Sequence, residues 1–120
     1  MTIFKFLAGS IAKNQPITEL IDPKTVATVW QNNIDIADKY YKPGVFTTFV
    51  AYEWTSAPNS RNMHRNVFFR DSKKVPKAPF TAIDSLHPED LWTWMDGQRK
   101  AGNELLAISH NANVSDGRMR

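Results

Sequence analysis

The stretch FTTFVAYEWTSAPNSRNMHRNVFFR (residues 46–70) decides the fold, because it contains two strand-like runs joined by a short loop. Residues 45–54 are rich in β-branched and aromatic side chains, and residues 64–70 repeat that composition. Only nine residues (55–63) separate the runs. A parallel return needs a crossover of about a dozen residues or more, so an antiparallel hairpin is predicted. Apolar residues at both even and odd positions of the first run predict a central strand with both faces covered.

A helix is predicted on each side of this hairpin. The first begins at Asp22-Pro23, where a capping carboxylate precedes a proline, and it ends before Lys42-Pro43-Gly44. The second begins at Pro88 and ends near Gly102, with His87 in the N-cap position and a structural role expected for it. Apolar residues recur in the first helix at helical spacing: Val26, Trp30, Ile34, Ala37 and Tyr41.

A third, short buried strand is predicted over residues 104–109 (ELLAIS). The connection from the second strand is irregular over residues 71–86 and then helical, so the third strand is expected to run parallel to the first. The end of the first strand, the start of the second and the end of the third then meet at one edge of the sheet.

Three residues with metal-binding side chains stand at these strand ends, namely Glu53, His64 and His110. Two imidazoles and a carboxylate suit zinc, manganese or iron, so a divalent-metal site is predicted. The alternative is a non-catalytic α/β binding or scaffold module, because single histidines usually pack and a glutamate at a strand end is usually solvated. Spacing alone leaves both interpretations open.

Four further polar residues lie beside the predicted ligands. Arg65 and Asn111 are the candidate catalytic residues, and Arg65, Asn113 and Arg118 are the candidate substrate-binding residues. Guanidinium groups bind anionic esters with two parallel hydrogen bonds, and amides supply uncharged ones. Arg65 has a second interpretation, as the partner of an acid at the sheet edge. A small anionic ester is the expected substrate.

Composition restricts the class of protein. With 120 residues, 42% hydrophobic and 22% charged, the chain fits one folded domain. The net charge of +3 is small and the basic residues are scattered, which argues against nucleic-acid binding. The absence of cysteine excludes disulfides and thiolate ligands. No signal peptide or membrane span is indicated near the N-terminus, and the compartment stays open, including export of a longer parent protein.

Four phrases resemble a bacterial family known as domain of unknown function 3604: FTTFVAYEWTSAP, MHRNVFFRD, PEDLWTWM and LLAISHNANVSDGRM. The resemblance covers about residues 15–120. That family is in turn similar to the polymerase and histidinol phosphatase (PHP) superfamily of metal-dependent phosphoesterases. The resemblance implies an α/β fold of the distorted β/α-barrel type, with two or three metal ions at the carboxyl ends of the strands.

The same resemblance implies roles for the candidate ligands. Glu53 and His64 match a Glu-then-His ligand group, and His110 matches a later single histidine. The His-x-His and Asp-x-His groups of the superfamily have no counterpart here. We therefore expect a partial barrel over residues 23–120, incomplete at both ends, after a poorly defined segment over residues 1–22. The implied parent enzyme hydrolyses phosphate, phosphonate or sulfate esters with metal-activated hydroxide. Without the missing barrel segments, this chain is expected to be inactive.

Overall fold

The computed structural model describes Lys5, residues 8–10 and residues 21–119. Its architecture is mixed α/β, as predicted at the level of class. The apolar residues of the segment over positions 3–13 predict a short helix there, but most of that segment lies outside the described residues. The elements in chain order are α1 (Pro23–Tyr40), β1 (Val50–Trp54), a 3-10 turn (Pro58–Ser60), β2 (Arg65–Phe69), α2 (Pro88–Lys100) and β3 (Leu105–Ser109).

The strands form an open antiparallel sheet in the order β1-β2-β3. The predicted hairpin is confirmed, with Val50 opposite Phe69 and Trp54 opposite Arg65. Because β3 pairs antiparallel with β2, it runs in the same direction as β1, as predicted, although the two are not neighbours. The prediction that the first strand is central was wrong, since β2 holds the central position among the described residues.

One side of the sheet, which we call the covered face, packs against both helices. It carries alternate residues of each strand: Val50, Tyr52, Trp54, Arg65, Val67, Phe69, Leu105, Ala107 and Ser109. Trp30 and Ile34 of α1 and Leu91 and Met95 of α2 complete the core. The indole of Trp30 also donates a 2.7 Å hydrogen bond to the Pro76 carbonyl, which fixes the irregular segment over α1.

The other side, which we call the open face, is covered by no helix among the described residues. It carries Ala51, Glu53, Asn66, Phe68, Leu106 and Ile108. Leu106 is 52% exposed and Ile108 is 53% exposed. The expectation that both faces of the first strand are covered is therefore also not met, because only one face of β1 packs against the described helices. Neither helix described over residues 21–119 is long and apolar enough to cross a membrane.

The helix ends follow the local sequence signals. The Asp22 carboxylate caps α1 by accepting hydrogen bonds from the backbone N–H groups of Lys24 at 3.1 Å and Thr25 at 3.2 Å. The Thr25 hydroxyl also donates a hydrogen bond to the Asp22 carboxylate. This bond, more than the backbone bonds, holds the pKa of Asp22 below its ordinary value. His87 occupies the N-cap position of α2, as predicted, but its side chain makes no capping hydrogen bond.

Candidate metal centre

Glu53, His64 and His110 meet at one edge of the sheet, on the open face. Glu53 is the penultimate residue of β1, while His64 directly precedes β2 and His110 directly follows β3. The backbone N–H of His110 donates to the His64 carbonyl at 3.2 Å, which continues the ladder by one further pair. Successive strand residues point to opposite faces, so all three side chains project away from the helices.

The three side chains are within reach of a common ion. Glu53 Oε1 lies 3.2 Å from His64 Nδ1, and Glu53 Oε2 lies 3.2 Å from His110 Nε2. One ligand atom from each residue lies within 4.8 Å of the others. The imidazoles are partly buried, whereas the Glu53 side chain is 38% exposed. Solvent therefore reaches the three side chains mainly from the side on which the Glu53 carboxylate lies.

The two facing imidazole nitrogens are the chemically informative atoms. His64 Nδ1 and His110 Nε2 are buried and have no hydrogen-bond partner among the described residues. Each is near a carboxylate oxygen, but neither contact has the direction of a hydrogen bond. Buried polar atoms normally have a partner, and nitrogen lone pairs that converge with a carboxylate are satisfied by a cation. One carboxylate and two imidazoles at these distances could therefore hold a metal ion.

Sequence comparison assigns the chain to a family. The family described as "Protein of unknown function (DUF3604)" matches residues 2–120. The chain belongs to the DUF3604 family. This confirms the family resemblance carried by the AYEWT and SHNAN phrases. No curated protein and no solved structure matches the chain. The chemistry of this DUF3604 site is therefore inferred from its own residues.

Thr55 belongs to the site of the DUF3604 chain, although the predicted site omits it. Its hydroxyl donates a 2.9 Å hydrogen bond to Glu53 Oε1. A ligating carboxylate is commonly oriented by such a hydrogen bond. The sequence signal that could have identified Thr55 is its position two residues after Glu53, because residues i and i+2 of an extended chain lie on the same face.

The structure does not bring Arg65 to the three ligands. Its side chain lies on the covered face and is only 3% exposed. The guanidinium donates to the Met63 carbonyl at 2.6 Å and lies 5.2 Å from the centre of the Trp92 ring. Burial lowers the pKa of Arg65, and the Glu89 carboxylate acts in the opposite direction. Because His64 points to the open face, its chain neighbour points to the other one.

The remaining predicted residues lie on the loop after β3, at exposed positions. Asn111 has a left-handed backbone conformation with φ of 54°. The carbonyl of Asn113 accepts a 3.0 Å hydrogen bond from the Asn62 side chain, so this loop is attached to the loop before β2. The backbone N–H of Arg118 donates to the Ser115 carbonyl at 3.1 Å. The roles of Asn111, Asn113 and Arg118 in catalysis and substrate binding stay predictions.

A second attachment between the two loops involves an ion pair. Arg61 Nε lies 3.1 Å from Asp116 Oδ2. The backbone N–H of Asn62 also donates to the Val114 carbonyl at 3.0 Å. Asp116 has φ of 56°, in the left-handed region that Asp adopts in turns. The loop that precedes His64 and the loop that follows His110 are therefore joined by hydrogen bonds and an ion pair.

Proposed function

We propose that this DUF3604 chain binds a divalent metal ion through Glu53, His64 and His110, and that the centre serves the hydrolysis of phosphate, phosphonate or sulfate esters. The observation that supports this proposal is the pair of buried imidazole nitrogens that face one carboxylate without hydrogen bonds. When bound, a divalent ion lowers the pKa of water from about 15.7 to about 7 and so supplies hydroxide at neutral pH.

The chain's own residues supply the ligands and their orientation. Each Glu53 oxygen faces a different imidazole, so the carboxylate is shared between the two histidines. The Thr55 hydroxyl holds Oε1, and the hydrogen bond from His110 N to His64 O holds the two histidine backbones together. Three protein ligands leave coordination positions for water and substrate, as in catalytic rather than structural zinc sites.

The proposal extends to the fold. We propose that the open sheet is a segment of a PHP-like β/α barrel, in which further chain covers the open face and supplies ligands for two or three ions. Its support is the exposure of Leu106 and Ile108 on the face that carries the candidate ligands. Apolar sheet faces are normally buried against another layer. The rival is a binding or scaffold module with structural histidines, which predicts no stoichiometric metal.

Metal titration of the purified chain tests the centre. We expect zinc, manganese or iron(II) to bind in a calorimetric titration, and His64→Ala, His110→Ala and Glu53→Gln each to weaken binding at least about tenfold, because each removes a ligand. His87→Ala is the matched histidine control, since that side chain is exposed and caps nothing. Glu104→Gln is the carboxylate control, because Glu104 pairs with Arg70 instead.

The outcomes separate the two interpretations. Loss of affinity in the three ligand variants, with folded circular dichroism spectra and unchanged controls, supports the metal centre. A wild-type chain that binds no ion stoichiometrically, or a His87→Ala variant as impaired as His64→Ala, contradicts it. Ester hydrolysis is then measured on the longest natural polypeptide that contains residues 2–120. Turnover of all three ester classes unchanged by His64→Ala would exclude the hydrolase proposal.

A further inference from the structure

Arg65 is the central residue of the last full cross-strand row of the sheet, with Glu53 one position before this row and His64 and His110 one position beyond it. Its backbone pairs with Trp54 on one side and with Ser109 on the other. Each residue of the row Trp54–Arg65–Ser109 is the chain neighbour of one ligand, because Glu53 precedes Trp54, His64 precedes Arg65 and His110 follows Ser109. A displacement of this row therefore moves all three ligands.

The guanidinium of Arg65 holds the backbone on the other side of His64. It donates to the carbonyl of Met63, the residue before His64, at 2.6 Å. His64 is thus enclosed between the peptide of Arg65 and the carbonyl that the Arg65 side chain binds. The backbone at this ligand is fixed at two points, one in the sheet ladder and one through a charged hydrogen bond.

Helix α2 supplies the other contacts of the Arg65 guanidinium. The Arg65 guanidinium lies 5.2 Å from the centre of the Trp92 ring, at the distance of a cation–π contact. The Glu89 carboxylate lies on the same helix and acts on the guanidinium electrostatically. A buried charge is costly unless it is partnered, and these contacts with the helix and with Met63 partner it. They therefore connect α2 to the strand that presents His64.

We propose that Arg65 is a positioning residue, which fixes the Met63–His64 backbone against α2 and so sets the direction of the His64 imidazole toward Glu53 and a bound metal ion. This inference rests on the proposed metal centre. It gives Arg65 a different role from the substrate contact predicted from sequence. Residues that orient ligands typically change metal affinity by about 10–100-fold when they are removed.

Cobalt(II) binding to the full chain tests the inference, because the visible absorption of cobalt reports the geometry of its ligands. We expect Arg65→Met to raise the Kd for cobalt about tenfold or more and to change the absorption spectrum, since the Met63 carbonyl loses its donor. Arg65→Lys is expected to restore part of the affinity, because an ammonium group keeps one donor but lacks the planar fork. Trp92→Leu should also raise the Kd for cobalt, by a smaller factor than Arg65→Met.

Val67→Ala is the matched control. Val67 lies on the same strand and the same face as Arg65 and is fully buried, but it is three residues from His64. We expect this variant to lose stability while its Kd and cobalt spectrum stay those of the wild type. If Arg65→Met does not fold, the Arg65→Lys and Trp92→Leu pair decides: unchanged Kd and spectrum in both overturns the inference.

The failures of the two proposals are distinguishable. A wild-type chain that binds no cobalt contradicts the metal centre itself, and the positioning role with it. A wild-type chain that binds cobalt, together with a folded Arg65→Met variant of equal Kd and spectrum, overturns the positioning role alone. A Val67→Ala variant that matches Arg65→Met in both readouts also overturns it, because loss of stability would then explain the effect.

Discussion

Each candidate ligand at the sheet edge has a chain neighbour on the opposite face. Trp54 is fully buried beside the exposed Glu53, and Arg65 is buried beside His64. For Glu53 and His64 this alternation lets a solvent-facing ligand rest on a tightly packed neighbour, because the buried residue next to it fixes the backbone that carries the ligand. The neighbour of His110, Ser109, is exposed, so substitutions that act on the site from the covered face are expected at Trp54 and Arg65.

Tyr52, one position before Glu53, makes the stability of the fold sensitive to alkaline pH. Burial raises the pKa of its hydroxyl above the ordinary value of 10.0, and the Asp84 carboxylate raises it further. Above pH 10 the unfolded chain releases this proton while the folded chain keeps it. The free energy of unfolding therefore falls as the pH rises, by at most about 1.4 kcal/mol per pH unit from this group.

Tyr52→Phe should remove that part of the alkaline loss. We expect the variant to lose less stability than the wild type between pH 9 and pH 11, as measured by urea denaturation. Tyr41→Phe is the control, because the Tyr41 side chain is half exposed. Equal pH dependence in the wild type and in Tyr52→Phe would contradict the prediction.

The candidate ligands could be predicted from sequence, whereas their surroundings could not. Sequence predicts that Glu53, His64 and His110 come together, because each stands at the end of an apolar run and the hairpin loop is short. Adjacency in sequence predicts Arg65 beside His64 in the site, but successive strand residues lie on opposite faces, and the Arg65 side chain is buried on the covered face. The contact of Arg65 with Trp92 joins segments far apart in the chain, and no local pattern encodes it.

The helices and turns are set largely by local signals. The ends of α1 agree with the capping carboxylate of Asp22 and with the Lys42-Pro43-Gly44 stop, and α2 begins at Pro88 as predicted. Strand extent is less local. Residues 45–49 have strand-like composition, but the bridge between Lys42 and Phe46 forms a turn there, and β1 begins only at Val50.

Two glycines around the end of α2 should respond in opposite ways to alanine. Gly97 lies inside the helix, and an added Cβ meets nothing within 4 Å. We expect Gly97→Ala to raise the free energy of unfolding by about 0.5–1 kcal/mol, because glycine is the more costly residue to order in a helix. Gly102 has φ of +92°, so Gly102→Ala should lower it by about 1 kcal/mol or more.

A background substitution separates backbone strain from crowding at Gly102. A Cβ there would lie 2.6 Å from Lys74 Nζ, the end of a flexible side chain. In a Lys74→Ala background, Gly102→Ala should remain destabilising in thermal and urea denaturation, because the positive φ is unchanged. Full recovery of stability in that background would show that crowding, and not backbone conformation, is the cause.

Over residues 21–119 the fold is asymmetric, with α1 and α2 on one side of the three-stranded sheet. An exposed apolar sheet face favours association with other chains. We expect Leu106→Lys to reduce self-association and binding of a hydrophobic dye, measured by light scattering and fluorescence. The free energy of unfolding should change by less than about 0.5 kcal/mol, because Leu106 is half exposed.

Val45→Lys serves as the matched control for this surface. Val45 is 82% exposed but lies in the turn before β1, outside the sheet. It should leave self-association unchanged. A Leu106→Lys chain that associates as strongly as the wild type would show that the open face is not the associating surface.

At this scale the sequence pattern predicts the class and the strand directions, but not which strand is central. Hydrophobic periodicity reports whether a residue prefers to be buried, not which segment buries it. β1 and β2 have similar apolar content, and the difference between an edge and a central position comes from β3, which is distant in sequence. The barrel implied by resemblance stays a prediction, because hydrophobic periodicity does not say which segments would cover the open face.

The order of the strands along the chain also sets an order of assembly. Glu53 and His64 come together when the short loop of the hairpin closes, whereas His110 joins them only after residues 70–104 have brought β3 onto β2. Closing the longer loop costs more chain entropy and is the slower event. During refolding, His110 is thus the last of the three ligands to arrive, so binding of an ion by all three would report that β3 has joined the sheet.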